Sequence, residues 1–223
     1  MAAPATGARS QRRALTALAA VALVAIAFAI GTLARPAGAD LAVPTADSVD
    51  VGFAHDMVVH HQQAVQMADI ALAGTSDPVV KSLAFDVSST QQVQIGQMQG
   101  WLGMWGQPLL GSGSYMGWMT DASGGAMAAM ASPGTPMTSM PGMASGQELS
   151  ELRSATGSAL DIRFLQLLLR HHQGGAGMLT YAAQHAANPV VRTFAGQVAA
   201  SQGAEATSIE KLLAERGAQP LAG

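Results

Sequence analysis

Phe53-Ala54-His55-Asp56-Met57-Val58-Val59-His60-His61-Gln62-Gln63-Ala64-Val65-Gln66-Met67-Ala68-Asp69-Ile70-Ala71 is the stretch from which the fold is read. Phe53, Met57, His60, Ala64, Met67 and Ala71 alternate steps of four and three residues, the spacing of one face of an α-helix. The stretch then returns 111 positions later without a gap: Asp50 falls on Asp161, Phe53 on Phe164, His60-His61-Gln62 on His171-His172-Gln173, Met67 on Met178 and Ala71 on Ala182. The same offset carries Pro78-Val79-Val80 onto Pro189-Val190-Val191, Gln91 onto Gln202, Leu102 onto Leu213 and Gly106 onto Gly217. A unit that cannot bury its apolar face alone implies, when duplicated, two copies packed on each other.

Each copy has the grammar of a helical hairpin. In the first, a proline-free run ends at Gly74, and Asp77-Pro78 starts a second helix, with Asp as N-cap and Pro at the first helical position. Ala84, Val87, Gln91, Ile95, Met98 and Leu102 stay in register until Gly106-Gln107-Pro108 stops the helix. In the second copy, Ser158 with Asp161 three residues later resembles a capping box, and Asn188-Pro189 opens the last helix. A shorter helical piece is expected around Gln147 to Arg153. No stretch shows strand alternation, so the fold class is all-α: a four-helix bundle of two hairpins, residues 45–106 and 147–217. Between them, residues 107–146 form an insert rich in Gly, Ser, Pro and Met, long enough to be functional, disordered or the crossover of a bundle.

The start of the chain reads differently. Arg12-Arg13 precede the uncharged run from Ala14 to Ala34, and Ala37-Gly38-Ala39 suits a signal peptidase. Residues 1–39 are therefore either a cleaved signal peptide or an N-terminal membrane anchor, since the run is near the length of a span. With Arg9, Arg12 and Arg13 retained inside, the remainder lies outside the cytoplasm, anchored facing outward or secreted to the envelope. From Asp40 onward seven basic residues stand against fourteen acidic ones. That balance argues against nucleic acid and is compatible with cations. There is no cysteine, so soft-ligand chemistry must use methionine and histidine. The expected partners are a metal ion, the membrane if the segment is retained, and a second copy of the chain.

At 100° per residue His60 and Met67 lie within about 20° on one inward stripe, with His61 at its margin. In the second copy His171 and Met178 share the stripe, His185 falls back on it, and His172 is marginal. A lone histidine on an apolar face is usually a satisfied core residue, and methionine at helical spacing is usually core filler. Two identical pairs, each followed by Met at one distance, point instead to convergence on a metal. The candidate ligands are His60, His61, Met67, His171, His172 and Met178, with Met57 and His185 as second choices. Gln91 and Gln202 are expected either to orient the imidazoles or to bridge helices. Asp50 and Asp161 are expected to serve helix starts. Within the insert, Met116-x-x-Met119, Met127-x-x-Met130 and Met137-x-x-Met140-x-x-Met143 set thioethers among residues that form no core. They suit Cu(I) or Ag(I) capture, or else cover the bundle or a membrane. The Glu-x-x-His of di-iron bundles, the His-Glu-x-x-His of zincins and any nucleophile with a neighbouring base are absent, so the chain reads as a non-enzyme.

At these residues the chain resembles the family known as domain of unknown function 305, bacterial and mostly exported. The resemblance is carried by Phe53-x-x-x-Met57-x-x-His60-His61-x-x-Ala64-x-x-Met67-Ala68 and Gln91-x-x-x-Ile95-x-x-Met98-x-x-Trp101-Leu102. In the second copy it is carried by Gly157-x-x-x-Asp161-x-x-Phe164-Leu165 and His171-His172-Gln173-Gly174-Gly175. It implies a ferritin-like four-helix fold and, through copper-binding members, copper handling by His and Met. Leu168 and Arg170 replace Met57 and Val59 of the first copy, so the halves differ as donors. Gly175 and Gly177 replace Ala64 and Gln66, loosening that helix or admitting another backbone. The expectation is a copper ion bound for sequestration or transfer outside the cytoplasm. A non-metal interaction module with structural histidines is the alternative, and a copper-dependent oxidoreductase a third.

Overall fold

The computed structural model describes residues 42–111, 114–120 and 137–221. The expected targeting segment, Met127 and Met130 lie outside the described residues. From Val43 onward the chain forms one unit. Its helices are α1 (Val49–Gly74), α2 (Pro78–Met104), α3 (Gly146–Ser154), α4 (Gly157–His185) and α5 (Pro189–Glu215). Among the described residues there is no strand, only an isolated antiparallel bridge between Tyr115 and Met137 that joins the two ends of the insert. None of these helices is long and apolar enough to cross a membrane.

The helix starts follow the sequence. Asp77 accepts from the N–H groups of Val79 and Val80 ahead of Pro78, and Asn188 caps α5 in the same way at Val190. Ser145 and Glu148 form a capping box at α3. The start of α4 differs from expectation. It begins at Gly157 after Thr156, whose side chain makes no cap bond, so Ser158 and Asp161 form no capping box.

Asp161 is used elsewhere, and so is its repeat partner. The Thr75 hydroxyl, in the α1–α2 turn, donates to Asp161 Oδ1 at 2.5 Å. Buried Asp50, in the first turn of α1, accepts from the Ala187 and Asn188 N–H groups in the α4–α5 turn, both at 2.9 Å. Each carboxylate thus braces the turn of the opposite hairpin, where simple service to its own helix was expected. These bonds also fix the arrangement: the start of α1 meets the end of α4, so the two run antiparallel side by side.

In the resulting layers α1 and α4 are the inner pair, α2 packs on α1, and α5 packs on α4. Between α2 and α5 lies a groove of about 560 Å³ whose walls include Thr90, Val93, Gln94, Gln197 and Ser201. The apolar interior divides into two clusters. One gathers Phe53, Met57, Met98, Leu102, Met178 and Tyr181; the other gathers Met67, Ala71, Phe164, Leu168 and Leu213.

The insert is stitched to the bundle by side chains of α1 and α4. Asp56 accepts from the Met116 backbone N–H and the Trp118 indole N–H, both at 2.7 Å. Burial raises this carboxyl's pKa, against the two donors. Gln63 exchanges two hydrogen bonds with Ala144, and the Tyr181 hydroxyl accepts from the Thr120 N–H. The Trp118 ring sits over Gly52, where an added Cβ would lie 2.3 Å from it. Met116, Met119 and Met140 are buried in the first cluster, and Met137 and Met143 pack against it. The described insert methionines therefore cover the bundle instead of standing free among glycines, because backbone pins hold the segment flat on apolar helix faces.

Candidate metal centre

Two imidazoles meet where α1 lies against α4, each beside the other histidine of its pair. The His60 and His171 rings lie 3.7 Å apart between centroids, tilted by 31°. All four histidines of the two pairs are buried. The expected marginal place of His61 and His172 is corrected: α2 and α5 cover that margin. A small residue makes the central contact feasible, since a Cβ on Gly175 would lie 2.8 Å from His60 Cε1.

The hydrogen bonds assign a tautomer to three rings. His60 Nε2 donates to the Pro141 carbonyl at 3.4 Å, and His61 Nε2 to Gln94 Oε1 at 2.8 Å. His172 Nε2 donates to Glu205 Oε2 at 2.8 Å. With the proton on Nε2, the Nδ1 of neutral His60 and His61 carries a lone pair, and the Nδ1 of His60, His61 and His172 is buried without a partner. Neither ring nitrogen of His171 meets full hydrogen-bond geometry, and its nearest acceptor is the His60 backbone carbonyl. A buried polar atom left unpaired costs about 1–3 kcal/mol. A cluster of such atoms therefore asks for a ligand, and lone pairs of neutral imidazoles are what a transition metal takes.

Charge agrees with that chemistry. Burial lowers His60 to about 3 and His61 to about 4, and holds His171 well below the ordinary imidazole range, with repulsion among the rings adding to it. These rings are unprotonated at neutral pH and compete with no proton for a cation. The Glu205 charge partly offsets the depression at His61.

The thioethers are distributed unevenly. Met67 lies two turns along α1 from His60 and Met178 two turns along α4 from His171. Because the helices are antiparallel, these two fall on opposite sides of the ring contact and in different clusters. Met57 shares the cluster of Met178, while its repeat partner Leu168 shares that of Met67. One flank of the histidines thus offers Met57 and Met178; the other offers Met67 alone. His185 stands apart: it is exposed, stacks on Tyr181 at 4.3 Å, and is about 21 Å along the helix from His171. Among the described residues no three His, Asp or Glu side chains form a ready-made ion cage.

Two features were missed in the sequence. Gln94 and Glu205, not Gln91 and Gln202, orient the outer imidazoles. Gln91 Oε1 and both amide atoms of Gln202 are buried without partners, one turn short of the rings. The signal was present, because Gln94 and Glu205 are themselves 111 residues apart and each lies 33 residues beyond its histidine. The second feature is the lid. Pro141-Gly142 lies backbone-to-backbone on α4, where a Cβ on Gly174 would be 2.4 Å from the Pro141 oxygen. Gly142 has φ +78, with the Arg170 oxygen 2.6 Å from where its Cβ would be. The admission of another backbone, expected around Gly175, occurs at its neighbour.

The profile described as Domain of unknown function (DUF305) matches residues 50–213. No curated protein matches the chain. Among solved structures, a DUF305 protein from Streptomyces coelicolor considered to be secreted is 37% identical. That match covers 80% of this chain and 100% of the other, with a TM-score of 0.70. A DUF305 fragment from Deinococcus radiodurans is 30% identical, covering 75% and 96%, with a TM-score of 0.60. CopM in its Cu(I)-bound form is 22% identical, covering 74% and 96%, with a TM-score of 0.56, and shares the fold.

Proposed function

The chain belongs to the DUF305 family, and from that premise we propose that it binds copper outside the cytoplasm, sequestering or passing on Cu(I) or Cu(II). The observation that carries the reading is the buried layer of four imidazoles with five unpaired ring nitrogens. We assign the nitrogen donors to His60, His61, His171 and His172, and the thioethers of one flank to Met57 and Met178. Met67 serves the opposite flank, and His185 is a separate surface ligand. The metal, when bound, would be held by ring nitrogens that have no partner in the fold. The protein's part is to hold His60, His61 and His171 unprotonated and to aim the rings of His60, His61 and His172 through Pro141, Gln94 and Glu205. Copper is the first metal to test because CopM has been solved with Cu(I), Cu(II) and Ag. Export is supported by the N-terminal run from Ala14 to Ala34 and by the likeness to the Streptomyces protein.

An interaction module with structural histidines is the rival. The bonds to Gln94 and Glu205 suit it, but it gives no account of His171, buried against the His60 ring with no well-formed hydrogen bond. Calorimetric titration with Ag(I) and Cu(II) separates the two. Saturable binding that is lost in H60A/H171A is expected. Absence of binding, or binding indifferent to that double substitution, favours the module.

A further inference from the structure

The two halves of the histidine layer differ at one charged position. His61 is held by Gln94, a neutral amide, while His172 is held by Glu205, a carboxylate at the equivalent place in the repeat. The rest of the geometry is matched: both acceptors sit 2.8 Å from Nε2 and both rings are buried. The duplicate thus differs in carrying one carboxylate beside the histidine layer, on the His172 side.

The charge is also connected to solvent. The Glu205 side chain is 27% exposed, and its other oxygen accepts from Ser201 at 3.2 Å. Ser201 and Gln94 are walls of the groove between α2 and α5. His172 itself lines a pocket of about 130 Å³ between α4 and α5, with Gln202 and Gly203, room for a few waters at about 30 Å³ each. The opposite face of the layer is closed by Pro141-Gly142, where there is no space even for a Cβ. A hydrated cation therefore meets the layer from the Glu205 side.

A carboxylate hydrogen-bonded to the far nitrogen of a ligand imidazole makes that imidazole a stronger donor, and its charge acts on the ion through the ring. Its Coulomb attraction is proportional to the ion's charge. We infer that Glu205, acting through His172, is the residue that makes this site prefer a doubly charged ion over a singly charged one. It is a positioning residue, outside the set of direct ligands. The inference rests on the metal-binding reading above and deepens it.

The test measures dissociation constants of Cu(II) and Ag(I) by competition with chromophoric chelators for the wild type, E205Q, Q94E and Q94E/E205Q. Thermal midpoints of the metal-free proteins are recorded alongside. E205Q is expected to weaken Cu(II) binding by about tenfold or more, in the range of outer-partner substitutions. Ag(I) binding should weaken by about threefold, the smaller loss that half the charge implies. Q94E, with a second carboxylate, is expected to tighten Cu(II) more than Ag(I), and the swapped double variant to regain most of the wild-type ratio. A purely structural role would lower both affinities equally, and that result overturns the inference while leaving the metal site standing. So does an E205Q protein within twofold of wild type for both ions. If the wild type binds neither ion, the metal-binding reading falls and this inference falls with it. Should E205Q fold poorly, Q94E alone decides: an unchanged Cu(II)-to-Ag(I) ratio overturns the inference.

Discussion

His171 is the residue that most clearly sacrifices stability. Its ring is fully buried, touches the His60 ring, and has two nitrogens without a well-formed hydrogen bond. Replacing both unpaired atoms by an apolar side chain of similar bulk removes that penalty. His171→Leu is therefore expected to stabilise the metal-free protein by about 1–3 kcal/mol in urea unfolding with a chelator present, and to abolish metal-induced stabilisation. A loss of stability in the metal-free protein would mean that the imidazole is partnered after all. The same burial sets a pH dependence. An unfolded imidazole titrates near 6.5, whereas His60 and His61 are lowered to about 3 and about 4 in the fold. Between those limits the unfolded chain binds more protons. Their contribution to stability is complete above about pH 6.5 and declines as the pH falls toward 3, by up to about 1.4 kcal/mol per unit for each ring. Thermal midpoints from pH 7.5 to 4 should follow that slope in the wild type and flatten in H60A/H171A.

At the scale of helices and their connections, the glycines sort into those that admit a neighbour and those that face open space. A Cβ at Gly174 meets backbone of Pro141 and Gly142, which cannot turn aside as a side chain would. Gly174→Ala should destabilise by about 1–3 kcal/mol, the ordinary cost of overpacking, and lift the segment over His60. Gly96 on α2 and Gly196 on α5 have nothing within 4 Å of the place a methyl group would take. Alanine at either should raise stability by about 0.5–1 kcal/mol through helix propensity alone. Chemical denaturation of the three variants checks both signs together. The crossed braces belong to this scale too. Asp50→Asn leaves one oxygen to accept from two turn N–H groups, and a loss of about 1.5–3 kcal/mol is expected for the charged bond removed. The cost should be shared by the α4–α5 turn, far in sequence but adjacent in space, and hydrogen exchange at Ala187 and Asn188 would show it.

From Val43 onward the described residues form two hairpins that meet at their histidines, with the described ends of the insert on one face and a groove between the outer helices. The duplicated sequence makes this unit nearly twofold, yet its chemistry is one-sided. Among the described residues, Met57 and Met178 are on one flank with five insert methionines, leucines fill the other around Met67, and Glu205 is the carboxylate hydrogen-bonded to one of the rings. If the proposed site binds copper, one ion per chain is expected, and the stoichiometry of the Ag(I) titration checks it. Binding confined to the folded state stabilises by about 2.7 kcal/mol at a free ion concentration a hundredfold above Kd. For a domain of this size that corresponds to a rise in Tm of about 5–10 °C. A Tm that does not move with added Ag(I) would count against the whole arrangement.

The helices, their caps at Asp77 and Asn188, the pairing of the hairpins and the meeting of His60 with His171 were all legible in the sequence. Periodicity and an exact offset are local and repetitive signals, and burying two copies of one apolar face leaves few alternatives. What the sequence did not show is whatever depends on which atoms end up opposite each other. A helical wheel assigns a direction but no partner, so His61 and His172 read as marginal until α2 and α5 covered them. Gln94 and Gln91 are one turn apart and chemically identical, and only the height at which α2 lies against α1 chose between them. Likewise the antiparallel crossing set Met67 and Met178 on opposite flanks although their spacing from histidine is the same. Asp50 and Asp161 look like helix-start carboxylates until the partner hairpin brings its turn within reach. Local chemistry is written along the chain; the choice of neighbour arises from packing two rigid hairpins, whose relative height and crossing no single stretch encodes.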